Sequence, residues 1–336
     1  MQGWHVIIPG LCGPFPKHSV LSEQAASPLL GLLAGGRTQS AAIGYHAQLA
    51  SLFELPQALP VAALTRLADG ACSPGDNCML LAPVHLQADM DHAILYDEFA
   101  LALSAQEKQQ LQDELNAHFA EDDICIISDA AGRWFVQSAR PIAIETTALH
   151  EVIGRNVNFY MPTGPQAVSW KRFLNEAQML MHQSAVNQTR EQHGQLTANS
   201  LWLWGQGSLP EHAAALDTVI YTNDDLMRGI ARHRQCACHD LPQEDAVLPQ
   251  HAVFCDTRLL SAVSYGDTER WQQDLHNMMA QWLQHLPQWA QRQRARVTLY
   301  PCSGTAYRLP ETGWGRRLCR VFGRRLTARE LIQYDD

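Results

Sequence analysis

The sequence predicts an α/β protein, a three-layer sandwich with a largely parallel central sheet and a small inserted α+β domain. Three observations predict it. Short apolar runs such as Val6-Ile7-Ile8, Val219-Ile220-Tyr221 and Ala252-Val253-Phe254 have the length and continuity of strands buried on both faces. Helix-like stretches separate them, as the crossovers of a parallel sheet require. From about residue 79 to 146 the texture changes to short strands around one helix. The core is therefore assigned to 1–78 and 147–336, and the insertion to 79–146.

Each element has a local reason. Val6-Ile7-Ile8 is a strand stopped by Pro9-Gly10, and 22–33 is a helix closed by Gly35-Gly36. Helices follow over 47–53 and 61–68. In the insertion, 79–86 and 93–96 read as strands, and Ser104 with Glu107 has the capping-box spacing for a helix over 105–119. The runs 124–127 and 134–137 flank Asp129 and Gly132 as a hairpin. Alternation then resumes with a helix over 169–183, a strand over 201–204, a strand over 219–221 and a helix over 223–232. A strand over 252–254, a long helix over 267–292 and a strand over 296–300 complete the core.

At 336 residues, 46% hydrophobic and 18% charged, the chain has the composition of a globular protein with a sizeable core. No apolar run reaches the roughly 18–20 residues that span a bilayer. The start, MQGWHVIIPGLCGP, enters a β-type run without the basic and apolar regions of a signal peptide. Nine scattered cysteines fit reduced thiols, so a cytoplasmic location is expected. A net charge of −9 argues against general nucleic-acid binding. The exception is a tail bearing Arg316, Arg317, Arg320, Arg324, Arg325 and Arg329, which reads as a solvated face or as a contact for an acidic partner.

Candidate chemistry is sparse. His233, Cys236, Cys238 and His239 lack the spacing and the second half of a structural zinc site, which leaves a loop with free thiols. Asp89, Asp91 and His92 read as metal ligands or as a solvated edge, and His85 as a structural histidine. Trp202 and Trp204 share a face, where core packing is the plainer reading. The strand 201–204 runs into Gly205-Gln206-Gly207, the place where open α/β sheets put ligands. No G-x-S-x-G elbow, Walker loop or dinucleotide fingerprint is present.

The segment 182–207 carries Val186-Asn187, Arg190, Gly194, Ala198-Asn199 and Gly205-x-Gly207. It resembles a segment of the archaeal-type, cofactor-independent phosphoglycerate mutases of the alkaline phosphatase superfamily. SEQAASPLLGLLAGG at 22–36 and DLMRGIA at 225–231 resemble two helices of that family in the same order. NFYMPTGP, LNEAQMLMH and NSLWLWGQG are similar to a bacterial offshoot described as phosphoglycerate mutase-like or RpfE-type regulatory proteins. The resemblance implies an alkaline phosphatase-like core with an extra α+β domain at 79–146.

The resemblance also implies two divalent metals and a serine nucleophile held at strand ends, and there the chain departs from the family. An Asp-Gly pair is expected after the first strand, where Pro9-Gly10 stands. The nucleophile falls near Gly44, before Tyr45-His46. An Asp-x-x-x-His pair falls near Leu260 and Ser264, with only the trailing acid Asp267 kept, and an Asp-His pair falls on Pro301-Cys302. Ser40, Ser51, Asp256 and Ser303 lie close enough to be replacements.

The expectation is therefore a divergent phosphoglycerate mutase-like protein without the two-metal phosphotransfer site, acting in binding or regulation on a phosphorylated small molecule or a protein partner. Its ligand-binding candidates are Asn187, Arg190, Asn199, Gln206, Arg228 and Arg258, and neither metal nor cofactor is expected. The alternative is an active metal-dependent mutase or phosphatase with rearranged ligands, using Mn or Zn with Asp256, Asp267 and histidines of the insertion. A third reading is an interaction module that works through the arginine-rich tail.

Overall fold

The computed structural model describes residues 2–15, 29, 31–33, 36–73, 75–89, 92–122, 124–138, 140–209, 214–244, 246–310 and 332–333. The arginine-rich tail, Asp91 and most of the expected helix 22–33 lie outside the described residues. The chain divides into two compact units, Met1–Gln57 with Ala213–Asp336, and Ala58–His212. The second unit contains the expected insertion 79–146 but is larger at both ends.

The first unit is built on a seven-stranded sheet. Its strands are β1 (Trp4–Ile7), β2 (Arg37–Ile43), β8 (Val219–Thr222), β9 (Ala237–His239), β10 (Ala252–Cys255), β11 (Val297–Tyr300) and β12 (Ser303–Arg308), in the order β2-β12-β11-β1-β10-β8-β9. The run β11-β1-β10-β8-β9 is parallel, and β12 and β2 join antiparallel at one edge. The mixed α/β fold with a largely parallel sheet is thus as expected. The strands β2, β9 and β12 were not legible in the sequence. β2 is RTQSAAI with little burial, and β9 has three residues, so neither carries the apolar run of a central strand.

Trp4, Val6, Phe254 and Leu299 project from one face of this sheet into a core with Leu259, Trp271, Trp282 and Trp289. Tyr221, Phe254 and Trp282 stack in sequence with ring centroids 5.3 and 5.9 Å apart. The expected long helix is three pieces, Thr268–Met278, a π-helical turn Met279–Leu283 and Leu286–Gln293. The turn is where Trp282 enters the core, and Pro287 at the start of the last piece is tolerated because a first-turn residue needs no amide donor.

The second unit holds β3 (Asn77–Asp89), β4 (His92–Tyr96), β5 (Cys125–Ser128), β6 (Trp134–Ser138) and β7 (Ser200–Gly207). The strand expected at 201–204 is β7, and it is not in the parallel sheet. It pairs antiparallel with β3 from Cys78–Gly207 to Val84–Ser200. Both strands are rich in apolar residues, so periodicity alone does not say which sheet they join. Met79, Leu81, Leu201 and Leu203 pack against helices Ala105–His118 and Ala167–Gln183 through Leu111, Leu115, Phe173 and Ala177. Ser104 and Glu107 form the predicted capping box. Between the helix Ala167–Gln183 and β7 lies a further helix, Ala185–Gln192, capped by Ser184.

Among the described residues no helix is long and apolar enough to cross a membrane.

Candidate functional site

Ligands of open α/β sheets bind beyond the carboxyl ends of the strands. In the first unit those ends present Thr222-Asn223-Asp224 after β8, Asp256-Thr257-Arg258 after β10, and Pro301-Cys302 after β11. Thr222 donates its hydroxyl to the Cys255 carbonyl at 3.0 Å and accepts from the Asp224 amide. Asp224 then caps the helix Asp225–His233 by accepting from the Met227 amide at 2.8 Å. Adjacent strand ends are thereby fixed to each other before any ligand arrives.

Asp256 is the centre of this edge. It is completely buried, and its own amide donates to the Ile7 carbonyl at 3.0 Å. Asn223 donates to its Oδ1 at 3.0 Å, and the Trp282 indole N–H donates to Oδ2 at 3.0 Å. Arg258 donates through Nε at 2.9 Å to Oδ1 and through Nη2 at 2.5 Å to Oδ2. A buried carboxylate is tolerated only when paired and hydrogen-bonded, and both oxygens here are engaged. Arg258 also donates to the Gln281 amide oxygen at 2.6 Å, while a quarter of its side chain stays exposed.

Beside Asp256 lies a buried sulfur-rich group. The Tyr45 hydroxyl is 3.4 Å from the Cys255 thiol, and the Gly44 amide donates to the Cys302 carbonyl at 2.8 Å. Burial pushes the thiols of Cys12, Cys255 and Cys302 and the Tyr45 phenol well up, so all four are neutral. Gly10 packs against the helix Arg258–Ser264, where a Cβ would stand 3.1 Å from the Leu259 carbonyl. Ser264 donates to Leu260 within its helix at 3.0 Å, and Asp267 caps the next helix on the Arg270 amide at 2.9 Å. The surviving acid is a helix cap. Among the described residues no group of three or more His, Cys, Asp or Glu side chains is placed to hold a metal ion.

Of the six candidate residues, the structure brings Arg228 and Arg258 to this edge. Arg228 donates to the Thr222 carbonyl at 3.2 Å and to Asp240 at 2.6 Å. The other four lie in the second unit, and their polar atoms are spent on the protein itself. Asn187, 1% exposed, donates to the Met181 and Ala198 carbonyls and accepts from the Ala198 amide. Arg190, 3% exposed, donates to Leu196, Leu101 and Glu107. Burial works to raise the Glu107 carboxyl, but hydrogen bonds from Ser104 and Arg190 outweigh it and hold it below the ordinary range. Asn199 pairs with both backbone groups of Leu86, and Gln206 bonds Thr146 and the Ile144 carbonyl. The anion pocket expected at these four residues gives way to structural clips. Asn and Arg suit buried carbonyls as well as they suit anions, and sequence does not separate the two.

The Gly-x-Gly expected as a ligand-bearing loop is part of β7. Gly205 has φ +68°, and a Cβ would stand 2.9 Å from that of Val61 in the helix Val61–Leu67. The glycines serve close helix-on-strand packing. Trp202 is core and donates to the Thr147 carbonyl at 3.0 Å. His85 bonds the Thr197 carbonyl, and Cys236 and Cys238 are free thiols. Sequence reasoning missed Asn223, Trp282 and Tyr45. Asn223 was findable from its place directly after a parallel strand, whereas Trp282 reaches Asp256 across 26 residues with no local signal.

No protein-family model matches the chain. It is similar to the 2,3-bisphosphoglycerate-independent phosphoglycerate mutase of Methanosarcina mazei, 24% identical over 147 residues, which are 42% of this chain and 37% of that protein. The same enzyme of Methanosarcina barkeri is 24% identical over 148 residues, with the same coverage. A probable enzyme of that name from Geobacter sulfurreducens is 29% identical over 86 residues, 24% of this chain and 22% of the relative. The match thus spans little more than a third of the length of the first of these relatives. Among solved structures, a cofactor-independent phosphoglycerate mutase from Thermoplasma acidophilum aligns with 92% of this chain and 89% of its own, at 14% identity and a TM-score of 0.37. A protein from Pyrococcus horikoshii aligns with 92% and 87%, at 14% identity and a TM-score of 0.46. By its sequence similarity to the cofactor-independent phosphoglycerate mutases, the chain is phosphoglycerate mutase-like.

Proposed function

We propose that the chain is a divergent phosphoglycerate mutase-like protein whose strand ends no longer carry two-metal phosphotransfer, and that it acts by binding or regulation. The observation that carries this reading is the cage around Asp256. Both of its oxygens are held by Arg258, Asn223 and Trp282, so a divalent cation would have to displace a guanidinium from a buried carboxylate. The neighbouring donors fit a divalent pair no better, because the Cys255 and Cys302 thiols are kept protonated by burial and Pro9 offers no side-chain ligand. Two divalent metals therefore do not fit the residues present.

What remains at this edge is two partly exposed arginines, each paired with an aspartate. Arg228 keeps about a third of its side chain in solvent and Arg258 a quarter, which suits recognition of a phosphorylated small molecule or an acidic protein segment. A cytoplasmic setting fits the eight described cysteines, all free thiols. The rival reading, an active mutase or phosphatase with rearranged ligands, has the 24% identity to curated mutases on its side.

Turnover separates the two. Purified chain supplied with Mn²⁺ or Zn²⁺ and 2-phosphoglycerate is expected to give no 3-phosphoglycerate above a metal-only blank. Conversion that is lost on Asp256→Ala would establish the rival reading instead.

A further inference from the structure

We propose that Cys72 and Cys78 form a redox-active dithiol that closes to a disulfide by exchange with a low-molecular-weight disulfide of the glutathione type. The two sulfurs stand within hydrogen-bonding range of each other in the second unit, and the Cys78 thiol donates to Cys72. Both are free thiols, so this is the reduced form.

The chain brings the two sulfurs together by different means. Cys78 lies on β3, where its strand neighbours are Gln137 of β6 and Gly207 of β7, so pairing on both sides fixes its position. It is completely buried. Cys72 follows the helix Val61–Leu67 in a stretch without regular structure and leads back to β3 through a turn. In that turn the Asp76 amide donates to the Ser73 carbonyl at 3.1 Å, and the Ser73 amide donates to the Asp76 carboxylate at 2.8 Å. Cys72 is 6% exposed, but Ala71, Ser73 and Gly75 around it are exposed, and a Cβ on Gly75 would meet nothing within 4 Å. A disulfide needs the sulfurs about 2 Å apart, and this open turn can take up the movement.

A cation separates this pair from two thiols that merely pack. Arg66, in the last turn of the same helix, holds its guanidinium 5.9 Å over the Phe135 ring and lies close enough to both sulfurs to favour their charged forms. Its Nη1 is buried with no hydrogen-bond partner. The hydrogen bond from Cys78 and, against burial and Asp76, the charge of Arg66 hold the Cys72 thiol below its ordinary range. The same bond, together with burial, pushes Cys78 up. Cys236 and Cys238 are pushed up by burial instead. A low thiol against a high one suits exchange: the first attacks, and the second keeps its proton until it resolves.

The Cys72 thiolate attacks one sulfur of the small disulfide, whose S–S bond breaks and releases one thiolate. Cys78 then gives up its proton, attacks the Cys72 sulfur of the mixed disulfide and displaces the second small thiol. The chain loses two electrons and two protons, and the small disulfide is reduced to two thiols. None of these residues belongs to the Asp256 edge, so either reading can fail without the other.

The test is incubation of the reduced full chain with glutathione disulfide at neutral pH, followed by alkylation and peptide mass mapping. A Cys72–Cys78 disulfide is expected to accumulate before the exposed Cys125 is modified, and dithiothreitol to reverse it. Cys78→Ser is expected to stop with glutathione held on Cys72, and Cys72→Ser to block exchange at both positions. Arg66→Gln, which keeps both thiols, is expected to slow the exchange about threefold or more. If the variants do not fold, the wild-type map decides alone. Cys125 reacting first while Cys72 and Cys78 stay reduced overturns the proposal. So does glutathione left on Cys72 of the wild type without closure, or an unchanged rate in Arg66→Gln.

Discussion

Arg258 lies on the carboxylate of Asp256, two residues before it in the chain, with Nη2 2.5 Å from Oδ2 and Nε 2.9 Å from Oδ1. The pair closes the carboxyl end of a central parallel strand, which is where this architecture puts its chemistry. Removing one partner leaves the other charge buried and uncompensated. Arg258→Ala is expected to cost about 3 kcal/mol in chemical denaturation, and Arg258→Lys less. A loss below about 0.5 kcal/mol would mean that the pair is not formed in solution.

Asn187 and Arg190 are structural in this account. Asn187→Ala leaves the buried Ala198 carbonyl and amide without partners and the Met181 carbonyl with only the Ser184 amide, and about 2 kcal/mol of stability is expected to go with them. Arg190→Ala should act similarly, with Glu107 losing its guanidinium partner. Urea unfolding measures both. Loss of anion binding at unchanged stability would return these residues to the role expected from sequence.

Gly205 is held at φ +68° with Val61 against it. Gly205→Ala combines backbone strain with a clash and is expected to destabilise by about 2 kcal/mol. A thermal melt of the variant decides it, and an unchanged midpoint would contradict the packing role.

Burial pushes His150 down to about 4 from an ordinary value of 6.5. A histidine whose folded pKa is depressed stays neutral in the native state while the unfolded chain takes up a proton. Stability is then intact above about pH 6.5 and falls as the pH drops toward 4, by at most about 1.4 kcal/mol per pH unit for this one group. Denaturation midpoints across that window are expected to fall, and His150→Gln to flatten the slope. Identical slopes for the two proteins would remove His150 as the cause.

Much of the fold was legible because its elements carry local signals. The Ser104–Glu107 capping box, the 129–132 hairpin and the central strands β1, β8, β10 and β11 could be read from caps, turn residues and apolar runs. Sheet membership was not legible for β7, since Leu-Trp-Leu-Trp suits either sheet and its choice depends on β3 more than 100 residues away. The edge strands β2 and β9 lack an apolar run for the same reason that they are edges: they have little core to meet. Arg228 and Arg258 lie at the carboxyl edge of the parallel sheet because each follows a parallel strand. Asn187, Arg190, Asn199 and Gln206 were misread because a buried carbonyl asks for the same donors as an anion.

The central claim, that the Asp256 edge has given up its divalent metals, is tested most directly by titrating metal-free chain with Mn²⁺ and counting tight sites. The account predicts none at micromolar affinity, and no change in Mn²⁺ response between the wild type and Asp256→Ala. Two tight sites per chain, lost on Asp256→Ala, would contradict it.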